Sequence, residues 1–590
     1  MSTLPMWDLT DLFTSFDSKE YLDAPKNLET ALKDFEEKRS HLSAIPIDTN
    51  HLFESLKAYE EIEVQVLHYY AFARMQYDVD TKNTDAKKAF DSATALLTEV
   101  EGKLEWFSQF LKKIPTEEIE KFSHDENLAR YQRFFEVVKL YEKYTLDEKS
   151  EMLLISKDRF AQEGWRNMHT ELVSHFDFGE IEDEGKKIKM NQSLLKNYLS
   201  SPNRDLRKQA SKLMKQPFKD TMHILGYTYA QVVSSFEQDS KDVRGYPNGL
   251  FRSAMGDEVA DSDTKEMIEV IKEYIPLYHE YYAWKKKELG LEEMYVYDMG
   301  APLSTHEAPI PFDTAKETVL ATFSGFSEKF ASLAKQFFDN SWIDAREGGN
   351  KYAGAYSWSM YEHPFILLNY QPKIREVFTM IHELGHGVHS LLTQEHQPYL
   401  LRNHSKVIAE SASQFAELLL LDHYMKTLTD REEKRSLLSH HIEDLLYCTM
   451  SALTVTRFEI VVHEKLAKGV LSPEEMCDIW EGFSNEVKGK DIIGTDLDRY
   501  AWARIPHIFQ TPFYYFTYPM SLLVVLCLYE QYLENPADFI PKYEQFLSLG
   551  SSKSPHDMIK SVFGIEFGTS EFYNKGMKVI EKLFEQLKAI

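Results

Sequence analysis

His382-Glu383-Leu384-Gly385-His386 reads H-E-x-x-H inside an apolar pattern of helical period. Two His four residues apart lie on one helical face, near enough to bind one metal ion through their imidazoles. Glu383 projects to the same side, where it can take a proton from a water activated by that metal. With 21 His in 590 residues, the pattern arises by chance in about one chain in twenty, so its neighbours decide its meaning. Val377, Ile381, Leu384, Val388 and Leu391 recur at three- and four-residue spacing. They predict a helix from about Pro372 or Lys373 to about Leu392 with one face in the core. Gly385 and Gly387 each cost that helix ~1 kcal/mol relative to Ala, which points to a backbone or a substrate approaching closely. His389, one turn on, is expected to pack or to back a ligand rather than bind metal.

A catalytic zinc site needs a third protein ligand and an open position for water. In the pattern H-E-x-x-H-x-x-G-x-x-H the positions of the Gly and the last His hold His389 and Leu392 here, so that class is excluded. The other class draws a Glu from a following helix. Glu410, Ser413, Gln414 and Glu417 share a helical face, and Phe415, Leu418 and Leu419 suit core packing. Glu410 is the expected third ligand. Glu417 is expected to accept a hydrogen bond from a ligand His.

Four blocks then stand in order: Gly354-Ala355-Tyr356-Ser357 with His363-Pro364-Phe365-Ile366-Leu367-Leu368-Asn369-Tyr370, His382 to Ser390, Glu410 to Ser413, and Ile505 to Tyr518. Together they resemble the thimet oligopeptidase family of zinc metallopeptidases, and within it the oligoendopeptidase F group. Met6-Trp7-Asp8-Leu9-Thr10-Asp11-Leu12-Phe13 is similar to the start of these proteins, so the resemblance spans the whole chain. It implies one zinc ion per chain, held by His382, His386 and Glu410. It also implies that His507, Tyr514 and Tyr518 contact substrate or stabilise the oxyanion, with Tyr515 nearby. Phe516 stands where the family often has another Tyr, which leaves the division of labour among the tyrosines open.

These segments also have readings of their own. Hydrolysis of a peptide bond builds negative charge on the carbonyl oxygen, and Tyr hydroxyls or a His N–H aimed at it can lower the barrier by several kcal/mol. Tyr352, Tyr356 and Trp358 favour a strand after the loop Arg346-Glu347-Gly348-Gly349-Asn350. An edge strand at Gly354, Ala355 and Tyr356 can pair with an extended peptide backbone, a mode that demands little of side chains. The resemblance implies the same use, with unstructured substrates of roughly five to twenty residues.

Composition fits a large enzyme with an ample core: 590 residues, 43% hydrophobic and 27% charged. A net charge of −27 opposes nucleic acid and anionic membranes as partners. Cys448, Cys477 and Cys527 are scattered, which suggests no disulfide framework and a reducing compartment. Met1-Ser2-Thr3-Leu4-Pro5 carries no basic start or apolar core of a signal peptide, and the apolar run Met520 to Leu528 is too short to span a bilayer. A cytoplasmic protein is expected, with a monomer favoured.

Helical patterns cover roughly 26–43, 50–77, 84–112, 127–143, 203–237, 262–289, 313–339, 430–467 and 518–533, with a capping box at Thr314 to Glu317. Strand signals are a hairpin of Phe176 to Phe178 with Lys187 to Met190 around Gly185, and the 351–370 region. The fold class is mainly α. A joint at Ser200-Ser201-Pro202-Asn203 divides an N-terminal helical domain, 1–200, from a catalytic domain, 201–590. The Pro-rich stretch Ala301 to Pro311 is read as an inner connection. By resemblance, the whole is a two-domain ellipsoid with a deep central channel and a small sheet beside the metal.

The expected activity is zinc-dependent hydrolysis of internal bonds in oligopeptides, with Glu383 as general base. Two alternatives are a zinc aminopeptidase and a non-catalytic helical peptide-binding protein. The first needs a G-x-M-E-N-like segment for the peptide amine, which this sequence lacks. The second is opposed by the intact set His382, Glu383, His386 and Glu410.

Overall fold

The computed structural model describes residues 4–42, 46–304 and 308–590. Three sequence readings touch positions outside the described residues: Met1 to Thr3, Ser43 at the end of the 26–43 stretch, and 305–307 within the Pro-rich connection. The chain is mainly α, running from helix Lys19–Lys38 to helix Ser570–Ala589, and its strands are short.

Side-chain caps fix many helix starts. Asp48 accepts from Asn50 and His51 N–H to open Thr49–Val79, and Asn83 accepts from Asp85 and Ala86 N–H to open Thr84–Lys112. The short connection between them folds the second helix back along the first.

Several long periodic stretches prove to be helix pairs. The 203–237 stretch divides at Thr221, 262–289 at Tyr274 just ahead of Pro276, and 313–339 at Ser327, whose backbone is extended. An apolar face continues across a bend as readily as along a straight helix, so periodicity alone does not reveal the break. The expected capping box at Thr314 is not formed. Pro311 takes the N-cap, the helix begins at Phe312, and Thr314 lies in its first turn. The hairpin is also shifted. Glu184 and Gly185 both have positive φ, 49° and 77°, and make a two-residue turn, so the strands are Glu180–Asp183 and Lys186–Lys189. Phe176 to Phe178 precede the first strand.

The 430–467 stretch is two helices, Arg431–Leu446 and Ala452–Leu466, joined by the π-turn Tyr447–Ser451. By length and composition this is the one helix among the described residues that could cross a membrane, but 67% of its most apolar window is buried inside the protein, as in a core helix.

Among the described residues, buried apolar side chains form three clusters. One holds Leu28 to Phe135 of the N-terminal helices. A second joins Phe178 to Val233 with Val455 to Phe509, and the largest runs from Trp7 to Leu587. A division at residue 200 would leave the second cluster shared between both parts.

The site rests on a three-stranded sheet in the order Ile343–Asp344, Phe365–Leu367, Tyr356–Trp358. The first pair is parallel and the second antiparallel, with Ser357 opposite Ile366. Phe365, Ile366 and Leu367 are fully buried, which explains an unbroken apolar run rather than alternation. The N-terminal segment closes this sheet: Ala345 N–H donates to Pro5 O, Asp8 N–H donates to Ser341 O, and Trp7 packs on Tyr356 and Phe365. Tyr356–Trp358 is an edge strand, pairing among the described residues only with Phe365–Leu367.

Candidate active site

The H-E-x-x-H motif lies in the middle of helix Ile374–His396, close to its expected span. Val377, Ile381, Leu384 and Val388 are buried, and the helix packs on Ser413–Thr427. Gly385 makes that approach possible, and Gly387 makes room for Phe337 of helix Glu328–Asp339. A Cβ at Gly385 would lie 2.6 Å from Ser413 Cα and 2.7 Å from Ala412 O, and one at Gly387 would lie 2.3 Å from the Phe337 ring. The neighbour at Gly385 is therefore backbone, the very turn that carries Glu410. Gly385→Ala is expected to cost ~1–3 kcal/mol of stability by overpacking. It should also lower metal affinity by pushing Glu410 away. Thermal melting and metal titration of one preparation check both, and an unchanged affinity would show that the turn does not need this contact.

Glu410 follows the four-residue helix Lys406–Ala409 and precedes Ser413–Thr427, so the expected continuous helix is interrupted at 410–412. Its carbonyl still accepts from Gln414 N–H, which keeps Glu410 and Glu417 on the same side. Glu410 Oε2 lies 3.4 Å from both His382 Nε2 and His386 Nε2. One donor atom from each of the three residues lies within 4.8 Å of the others. Ser413 Oγ donates to Glu410 Oε2 at 2.7 Å and fixes the carboxylate. On the far side of the ring, His382 Nδ1 meets Glu417 Oε1 at 2.5 Å, which leaves Nε2 free to face the other donors. Two imidazoles and one carboxylate, with a carboxylate behind one imidazole, fit a zinc-type ion.

Electrostatics follow from this packing. Burial pushes the His382 pKa down, but the hydrogen bond and charge of Glu417, with Glu410 and Glu383 adding, raise it to about 9. Burial pushes Glu410 up, yet His386, His382 and Ser413 hold it at about 2. Glu383 is raised by burial, against the pull of His382 and His386. A carboxylate with a raised pKa suits a group that accepts and returns a proton.

A cavity of ≈ 360 Å³ is lined by His382, Glu383, His386 and Glu410 together with Ala355, Tyr356, Ser357 and Ser359 of the edge-strand segment. The strand therefore shares the cavity with the three candidate donors. Gly354 precedes the strand Tyr356–Trp358, and its carbonyl accepts from Asn369 Nδ2 at 3.0 Å. The Tyr356 hydroxyl points away, donating to Asp78 Oδ2 at 3.0 Å, so its phenol is already engaged.

His507, Tyr514, Tyr515 and Tyr518 form an aromatic group. Tyr518 Oη and His507 Nε2 share a hydrogen bond of 3.2 Å. Burial lowers the His507 pKa and raises those of Tyr514 and Tyr518, and the charge of Glu410 adds to the rise at both tyrosines. Lys406 Nζ lies 5.4 Å over the Tyr514 ring, four residues before Glu410. The group thus flanks the Glu410 turn, outside the residues that line the cavity.

His389 is buried and stacks on His404 with ring centroids 3.8 Å apart, and among the described residues neither of its nitrogens has a hydrogen-bond partner. Both rings line the cavity. His404 lies in a loop with no periodic pattern, and its nearness to Glu410 was its one signal. Cys448 was read only as a scattered thiol, yet burial raises its pKa to about 12 with Glu410, Asp444 and Glu417 adding, so it sits neutral beside the acidic group. All three cysteines are free.

A helical protein with this donor set and a strand edge lining the same cavity has the architecture of a metallopeptidase. Compared with known proteins, residues 197–578 match peptidase family M3 and residues 111–178 match oligopeptidase F. The chain belongs to peptidase family M3 and is a metalloendopeptidase of the oligoendopeptidase F kind. It is 26% identical to oligopeptidase PepF of Bacillus subtilis over 99% of this chain and 87% of that protein. It is 25% identical to a plasmid-encoded oligoendopeptidase F of Lactococcus lactis subsp. cremoris over 99% and 97%. A crystal structure of a putative peptidase from Chlamydophila abortus superposes with a TM-score of 0.84 at 25% identity, covering 99% of this chain and 98% of that one. The fold is shared with oligoendopeptidase-F from Enterococcus faecium, TM-score 0.74 at 19% identity over 97% and 98%.

Proposed function

We propose that the protein is a zinc endopeptidase of short unstructured peptides, with His382, His386 and Glu410 as ligands and Glu383 as general base. The observation that carries this reading is the meeting of three donor atoms within 4.8 Å, in a cavity that the edge-strand residues Ala355 to Ser357 and Ser359 also line. When bound, zinc supplies Lewis-acid polarisation of a carbonyl and a lowered pKa for water at its open position. Glu383, buried in the cleft wall, takes the proton of the attacking water and returns it to the leaving amine. Glu417 holds His382 by Nδ1 and orients Nε2. The main chain of Gly354 to Tyr356 pairs with the peptide. His507, Tyr514 and Tyr518 donate hydrogen bonds to substrate or oxyanion, with Tyr515 supporting the peptide.

Backbone pairing tolerates many sequences, whereas a folded protein offers no free strand. A net charge of −27 supports peptides rather than nucleic acid or anionic membrane as partners. A cytoplasmic monomer, with helical halves around a channel, completes the proposal. The test is a mixture of peptides acetylated and amidated at their ends. Internal cleavage should persist, and native folded proteins should survive. If blocked peptides are inert while free ones lose one residue at a time, the enzyme is an exopeptidase.

A further inference from the structure

We propose that Glu459 is a positioning residue that clamps the left-handed turn at Phe513 and so aims the segment carrying Tyr514, Tyr515 and Tyr518. The inference rests on the role given above to that segment.

Phe513 has φ 61° and ψ 20°. Glycine takes this conformation without cost, while a side chain there meets the adjacent carbonyl and needs outside support. Phe513 is one of four non-glycine residues of positive φ among the described residues, and it immediately precedes Tyr514. The support comes from helix Ala452–Leu466. Glu459 is 1% exposed, and its Oε1 accepts the Phe513 N–H at 2.7 Å. Its Oε2 has no partner among the described residues.

A core that needed only filling would not hold a half-satisfied carboxyl group, because burying one is costly. Burial raises this carboxyl to about 8, against the pull of the Phe513 N–H. The same helix grips the residue a second time. His463, one turn later, lies 4.2 Å from the Phe513 ring, and its Nδ1 meets Glu237 Oε1 at 2.7 Å. Glu237 Oε2 is held in turn by Gly249 N–H.

The rest of the turn is tied from both ends. Ser253 Oγ donates to Pro512 O, Tyr514 N–H donates to Thr511 O, and Thr517 Oγ1 donates to Tyr514 O. Glu459 thus fixes the point where the chain turns from His507 towards Tyr514 and Tyr518. A displacement of about 1 Å at such a point costs on the order of 100-fold in rate.

The experiment compares Glu459→Leu, Glu459→Gln and Glu459→Asp with His507→Ala and Tyr518→Phe, all zinc-loaded. Zinc content, kcat and KM are measured on an internally cleaved, end-blocked peptide. Glu459→Leu should lower kcat by ~10- to 100-fold with zinc content unchanged. Glu459→Gln keeps an acceptor for the Phe513 N–H and should recover most of that loss. A purely structural Glu459 would change melting temperature and leave kcat alone, so a normal kcat in Glu459→Leu beside an impaired Tyr518→Phe overturns the inference. If Glu459→Leu does not fold, Glu459→Asp decides, because its shorter side chain withdraws the acceptor from the Phe513 N–H. A lowered kcat with full zinc supports the clamp, and a normal kcat overturns it. Full activity in both His507→Ala and Tyr518→Phe would instead contradict the role of the segment itself, and the inference with it.

Discussion

Glu383→Gln is expected to keep its metal and lose most of its turnover. The amide has the shape of the carboxylate, and position 383 is outside the three donors that converge. The cavity should therefore bind zinc and peptide as before. What disappears is the base. General-base catalysis contributes ~10²–10⁴-fold, and a loss of that size in kcat with KM little changed is the predicted result. The carboxyl of Glu383 adds a pH expectation. Protonating Glu383 removes the base, so the acidic limb of activity that this gives should be absent in the Gln variant, whose amide does not titrate. Metal content and rate are measured on one preparation. Near-normal activity in a zinc-loaded variant would remove Glu383 from the mechanism.

The second large effect separates the proposed ligand Glu410 from its proposed support Glu417. Glu410→Ala removes the oxygen that lies 3.4 Å from both imidazoles and should abolish tight metal binding. Glu417→Ala removes only the acceptor behind His382 and should weaken binding by ~10–100-fold. Without metal, His382 has a pKa of about 9, so zinc must displace its proton at neutral pH. Apparent affinity should then rise about tenfold per pH unit up to about 9 and level off above it. Glu417→Ala removes the main cause of that raised value and should flatten the rise. The same shifts govern the stability of the chelated protein. The raised His382 stabilises below its ordinary pKa and is lost as pH climbs towards about 9. The lowered Glu410 stabilises above its ordinary range and is lost as pH falls towards about 2. Melting of the chelated protein across pH reads both limbs, and equal metal loss in the two variants would mean that ligand and support have been confused.

Much of the site could be read from the chain because its parts are local or separated by one helix. His382 and His386 share a face through helical period alone, and Glu410 and Glu417 follow from where the next helix must pack. The strand at Tyr356 showed in its aromatic residues, and Phe365 to Leu367 fell within the 351–370 region of strand signal. Features set by long-range packing were hidden. The breaks at Thr221, Tyr274 and Ser327 leave the apolar face continuous, so the stretches looked like single helices. The turn at 410–412 exists because Gly385 lets the motif helix press on its backbone, a contact between residues far apart in sequence. His404 and Glu459 carry no motif, and their roles appear only when His389 and Phe513 are seen against them. The hydroxyl of Tyr356 reaches Asp78, in a helix some 280 positions earlier, which strand propensity cannot foresee.

The most direct test is a crystal structure of the zinc-loaded protein with data collected at the zinc absorption edge. The account predicts a single strong anomalous peak bonded to His382 Nε2, His386 Nε2 and a Glu410 carboxylate oxygen at about 2.0–2.2 Å, with Glu417 on His382 Nδ1. A peak elsewhere, or one at the two histidines with another carboxylate in place of Glu410, would contradict it.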